Sequence, residues 1–123
     1  TFNLRFSNEL TQEKIKSKFE EKLSKLGCQF EIKWNCSAEP FITDEGKLTK
    51  ILQSAIKEIV NVEASLSTSG GTSDARFISQ HAKETVEFGP LNETAHKVNE
   101  NINLQNLAEL EKIYYAVLCK ILI

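Results

Sequence analysis

The sequence predicts an α/β chain in two parts, and three observations predict it. Two short segments alternate apolar with polar residues and bracket one helical stripe near the start of the chain. A linker punctuated by Pro40 then breaks the pattern. Beyond it, three helical stripes are separated by two short apolar runs. Strand, helix, strand, followed by helix, strand, helix, strand, helix, is the order of sheets covered by helices.

Phe2, Leu4 and Phe6 alternate with Asn3, Arg5 and Ser7, the period of a strand with one buried face. Thr11 is a helix N-cap, and Ile15, Phe19, Leu23 and Leu26 recur at helical spacing until Gly27 closes the helix. Cys28, Phe30, Ile32, Trp34 and Cys36 then face one way, with Gln29, Glu31, Lys33 and Asn35 facing the other. This crossover unit is too small to stand alone and reads as the C-terminal half of a ferredoxin-like βαββαβ domain, residues 1–38. Its unpaired strand edges favour self-association.

The linker spans Ser37 to Glu45 and places the second part at residues 39–123. Leu48, Ile51, Leu52, Ala55, Ile56, Ile59 and Val60 form a broad apolar stripe on a helix starting near Asp44. Val62 to Leu66 is a short strand, Ser73 to His81 a helix, and Thr85 to Phe88 another strand. After a polar loop, Asn103 caps a final helix bearing Leu107, Leu110, Tyr114, Val117, Leu118 and Ile121. Short buried strands between helices are the pattern of a three-layer α/β/α sheet.

A length of 123 residues fits one ordinary domain or two pieces of larger ones. With 41% apolar and 26% charged residues the chain has the composition of a soluble globular protein. A net charge of -2 supplies no attraction to nucleic acid or to anionic membranes, and no apolar run reaches the length of a membrane span. Cys28, Cys36 and Cys119 are odd in number and lack metal-type spacing, the usage of free thiols in a reducing cytoplasm. The chain contains no methionine and opens on Thr1 inside a strand pattern. It is therefore expected to be the C-terminal portion of a longer protein.

Chemistry is concentrated in two loops. Ser67 to Phe77 carries Gly70 and Gly71 followed by Thr72, Ser73, Asp74 and Arg76. A glycine pair before a helix is more often a structural turn than a cradle of N–H groups, and the spacing matches neither a P-loop nor a dinucleotide fingerprint. Asp74 suits a helix cap. Arg76, in the first helical turn, opposes the helix dipole, a cost that makes sense if it helps to hold a carboxylate. The second loop, Gly89 to Asn101, carries His96 among Asn92, Thr94, Asn99 and Glu100, side chains able to orient an imidazole. His96 reads as a surface residue or as a metal ligand whose fellow ligands lie elsewhere. His81 at a helix end suits the dipole.

Ser69-Gly70-Gly71-Thr72-Ser73-Asp74-Ala75-Arg76-Phe77, with Val86-Glu87-Phe88-Gly89-Pro90-Leu91-Asn92 and His96-Lys97-Val98-Asn99-Glu100, resembles the C-terminal portion of the dinuclear-zinc family of aminoacyl deacylases and peptidases. Phe2-Asn3-Leu4-Arg5-Phe6-Ser7 and Trp34-Asn35-Cys36-Ser37-Ala38-Glu39-Pro40-Phe41 resemble the end of that family's dimerisation domain, so the likeness covers essentially the whole chain. It departs at Ala75 and at His81-Ala82-Lys83, where the family usually has glycine.

The resemblance implies a dimerisation (lid) part at 1–38 and a zinc-peptidase-like catalytic part at 39–123, in a cytoplasmic homodimer. It implies that His96 binds one of two zinc ions, which cobalt can replace. It implies that Gly71, Thr72 and Arg76 contact substrate carboxylates, that Asn92 makes a polar contact, and that Arg5 closes over the substrate. The implied reaction is hydrolysis of N-succinyl-LL-2,6-diaminopimelate to succinate and LL-2,6-diaminopimelate, a step of lysine and diaminopimelate biosynthesis. The general base and the remaining ligands would lie upstream of Thr1, leaving these residues inactive alone. The alternatives are a related deacylase, such as one acting on acetylornithine, and a non-catalytic dimerisation or binding module.

Overall fold

The structure is a computed structural model that describes every residue except Cys28, Ser69, Gly70, Thr72 and Asn92. The described residues form four helices: α1 (Gln12–Ser24), α2 (Lys47–Val60), α3 (Ala75–Ile78) and α4 (Leu104–Leu122). The chain divides into two compact units, one of Thr1–Ile42 with Thr72–His81 and one of Thr43–Gly71 with Ala82–Ile123.

In the first unit Thr11 caps α1 as the sequence predicts, its hydroxyl accepting from the Lys14 amide at 3.3 Å. In the first turn, the Glu13 carboxyl is held below its ordinary value, chiefly by a backbone N–H and then by the Thr11 hydroxyl. The helix ends through Lys25 and a turn in which Gly27 adopts φ 68°, a conformation that only glycine takes at little cost. No residue of α1 is buried. The unit is organised instead by an aromatic trio. Phe2 stacks on Phe19 at 5.0 Å between ring centres, and Trp34 stands edge-on to both at 6.4 and 5.8 Å. The indole N–H of Trp34 donates to Glu20 at 2.9 Å.

The second unit is built on α2 against α4. Leu52, Ala55 and Ile56 of α2 and Ile113 and Val117 of α4 are buried together, and Leu48, Ile51, Val86 and Phe88 pack around them. Two ends of α2 are unusually well satisfied. Gly46 N–H donates to the Thr49 hydroxyl at 2.8 Å, which donates back to the Gly46 carbonyl at 3.0 Å. At the other end Asn61 closes the helix in the left-handed conformation, φ 56°, its N–H on the Lys57 carbonyl. Lys120 of α4 reaches Ser54 at 3.2 Å and Glu58 at 2.8 Å, tying the helices along their outer edge.

The predicted strands do not form among the described residues, nor does any backbone hydrogen bond join two of the segments at 2–6, 29–36, 62–66 and 85–88. The reason is physical: alternation specifies a buried face, whereas a strand exists only when a second strand takes up its N–H and C=O groups. The face itself is present. Ile32, Trp34, Cys36 and Ala38 are half-buried while Glu31, Lys33, Asn35 and Ser37 are exposed. Cys36 and Cys119 are free, half-buried thiols, and Cys28 lies outside the described residues.

Candidate functional site

The first candidate loop resolves around α3. The sequence predicts a helix from Ser73 to His81; the structure keeps four residues as α3 and continues to His81 through tighter turns, with Gln80 N–H on Phe77 O and His81 N–H on Ile78 O. Asp74 stands at the N-cap position, but its side chain makes no cap bond. The neighbouring Ser73 hydroxyl accepts from the Ala75 amide at 3.0 Å instead. Asp74 contributes its carbonyl, bonded by the amides of Phe77 and Ile78.

Arg76 is half-buried, with its guanidinium carbon 4.7 Å over the Phe77 ring. In a helix this short the first turn is also the last, so the opposition to the dipole expected for Arg76 nearly vanishes. Gly71 is exposed, and a β-carbon there would meet nothing within 4 Å, so no close approach among the described residues requires glycine. Arg5 is exposed on the segment before α1. Thr72 and Asn92 lie outside the described residues. Arg5 and Arg76 belong to the first unit, Gly71 and His96 to the second.

The second loop is anchored before it begins. Tyr114 of α4 donates its hydroxyl to the Phe88 carbonyl, and the two rings meet edge-on at 6.0 Å. Its far end is fixed by Asn103, whose side chain caps α4 by accepting from Gln105 N–H at 2.8 Å. Between these anchors, the Thr94 hydroxyl donates to the Asn101 carbonyl at 2.7 Å and accepts from the Asn101 amide at 3.1 Å. Lys97 N–H closes a turn on Thr94 O at 3.0 Å, and the Asn101 side chain donates to Asn99 O at 2.8 Å. Within this closed turn, His96 and Asn99 hold φ values of 61° and 62°. Left-handed conformations at non-glycine residues cost of order 1–3 kcal/mol each and persist where the surroundings impose them. The result is an exposed imidazole on a defined backbone.

Peptidase family M20/M25/M40 matches residues 6–120. The chain belongs to this family. It is also 44% identical over 121 residues, 98% of its length, to a succinyl-diaminopimelate desuccinylase of Pseudoalteromonas atlantica. That match covers 32% of the relative, so the chain spans about a third of the length of the curated relative it matches.

For an M20-family chain the question is which side chains fit a metal. Zinc takes about four donors, imidazole nitrogen among the commonest. His96, exposed on a turn held from both ends, fits one ligand position. Among the described residues no group of three or more His, Cys, Asp or Glu gathers, so they form no complete metal site by themselves. Sequence reasoning had no means of finding the Thr94–Asn101 closure, because a hydroxyl two residues before a histidine has no spacing signature of its own. The polar character of the loop was the only signal. No helix among the described residues is long and apolar enough to cross a membrane.

Proposed function

We propose that the chain is the C-terminal part of a succinyl-diaminopimelate desuccinylase, with residues 1–38 serving the dimerisation domain and 39–123 the catalytic domain of a cytoplasmic homodimer. The observation that carries this reading is the 44% identity to such an enzyme across 98% of the chain. In this reading the segments that stand as single strands-in-waiting pair with the remainder of the protein to complete the α/β layers.

The substrate carries several carboxylates and one amide to be cut. Arg5 and Arg76 serve the carboxylates, since a guanidinium presents paired N–H donors at carboxylate spacing. The Gly71 amide and the Thr72 hydroxyl add further donors, and Asn92 adds a polar contact. His96 would hold one of two zinc ions, for which cobalt would substitute. When bound, the metal pair supplies an activated water and polarises the scissile carbonyl. Water adds across the amide C–N bond, giving succinate and the free amine of LL-2,6-diaminopimelate.

Succinate release by the complete protein and by these residues alone tests the reading. The complete protein should hydrolyse N-succinyl-LL-2,6-diaminopimelate, while the isolated chain should release none. A complete protein that leaves this substrate intact would overturn the proposal.

A further inference from the structure

Four observations around His96 point the same way. The Thr94 hydroxyl is bonded both to the N–H and to the C=O of Asn101, seven residues on. The Thr94 carbonyl accepts from Lys97, so one residue fixes the turn through its side chain and its main chain together. The backbone at His96 is left-handed, a state a non-glycine residue abandons unless something holds it. Thr94 is itself half-buried while His96 is exposed, the arrangement of a fixed base and a presented side chain.

We propose that Thr94 is a positioning residue for His96: by closing residues 94–101 through Asn101, its hydroxyl presets the left-handed turn that presents the imidazole to a metal ion. The inference rests on the reading of His96 as a metal ligand. Its physical content is preorganisation. A ligand already in its bound conformation surrenders little further freedom on binding, whereas a slack loop must be ordered at the moment of binding. Groups that orient a ligand without touching the metal typically change metal affinity by about 10–100-fold when removed. Serine in place of Thr94 keeps the hydroxyl and therefore the closure. Valine keeps the shape and loses both bonds.

The test uses the complete protein with zinc affinity measured by chelator competition, together with amide exchange on the metal-free form. Thr94→Val should accelerate exchange at Asn101 and Lys97 and weaken zinc binding by about tenfold or more. Thr94→Ser should remain within about threefold of the unaltered protein in affinity, given that the hydroxyl persists. His96→Ala should lose the affinity while leaving exchange at Asn101 slow. Thr94→Ala, which adds no bulk, serves should the valine variant not fold. If Thr94→Val or Thr94→Ala loosens the loop yet binds zinc normally while His96→Ala does not, the positioning role is overturned and the ligand assignment stands. If His96→Ala binds zinc as before, the ligand assignment itself fails, and the positioning role with it.

Discussion

The carboxylate of Glu84 occupies the space that a β-carbon on Gly46 would fill: such a carbon would lie 2.5 Å from Glu84 Cδ and Oε2. From that position Glu84 accepts from the amides of Lys47 at 3.1 Å and Leu48 at 2.7 Å, the first free N–H groups of α2. A carboxylate at a helix N-terminus satisfies orphan donors and complements the dipole. Here it arrives from 37 residues along the chain. Beside it, the Thr43 hydroxyl donates to Thr85 O at 2.6 Å and accepts from Thr85 N–H at 3.2 Å, so the two segments are fastened at two adjacent points.

This relationship predicts a non-additive pair. Glu84→Ala should destabilise the second unit by about 1–3 kcal/mol, the value of hydrogen bonds to a charged group. Gly46→Ala should cost a similar amount by displacing the carboxylate, since φ at Gly46 is -138° and suits any residue. In the Glu84→Ala background the Gly46 substitution should then cost little. Denaturant unfolding of the two single variants and the double variant checks this, and additive costs would count against the steric link.

Ile113 is 3% exposed at the centre of the α2–α4 contact. Ile113→Ala should cost about 2–5 kcal/mol, the range for truncating a buried aliphatic side chain. A loss under 1 kcal/mol in equilibrium unfolding would show that this contact is not the core of the unit.

Trp34 is the single tryptophan of the chain, and it sits in the first unit. Among the described residues that unit buries only Ala75 to the level of the core. Indole fluorescence should therefore change at lower denaturant than helical ellipticity, which α2 and α4 dominate. Coincident transitions would mean that the two units unfold together.

Arg76→Lys keeps the charge and removes the planar fork. In the complete protein it should raise KM for the succinylated substrate by about 10–100-fold, corresponding to a charged hydrogen bond at roughly 1.4 kcal/mol per tenfold. Thermal stability should be nearly unchanged. An unaltered KM would remove Arg76 from the carboxylate-binding role.

The three longer helices were legible because their signals are local. Thr11 and Asn103 cap where the apolar stripes begin, and Leu52, Ala55 and Ile56 fall on the buried face of α2 as their spacing predicts. Strands were legible only as faces: the burial alternation from Ile32 to Ala38 is present, but pairing depends on a partner that periodicity does not name. The start of α2 shows the same limit, since Glu84 caps it from far along the chain. In the loops, the exposed imidazole of His96 could be singled out by residue type, whereas the left-handed turn beneath it depends on a hydroxyl finding a main chain seven residues away. Asp74 shows that even a favourable cap residue yields when its neighbour Ser73 reaches the amide first.

The ratio of kcat/KM for N-succinyl-LL-2,6-diaminopimelate to that for N-acetylornithine, measured on the complete protein, tests the central claim most directly. A ratio well above one is expected if the guanidinium and amide donors proposed for the substrate carboxylates are left unmatched by the smaller substrate. A ratio below one would contradict it and assign these loops to a different deacylase.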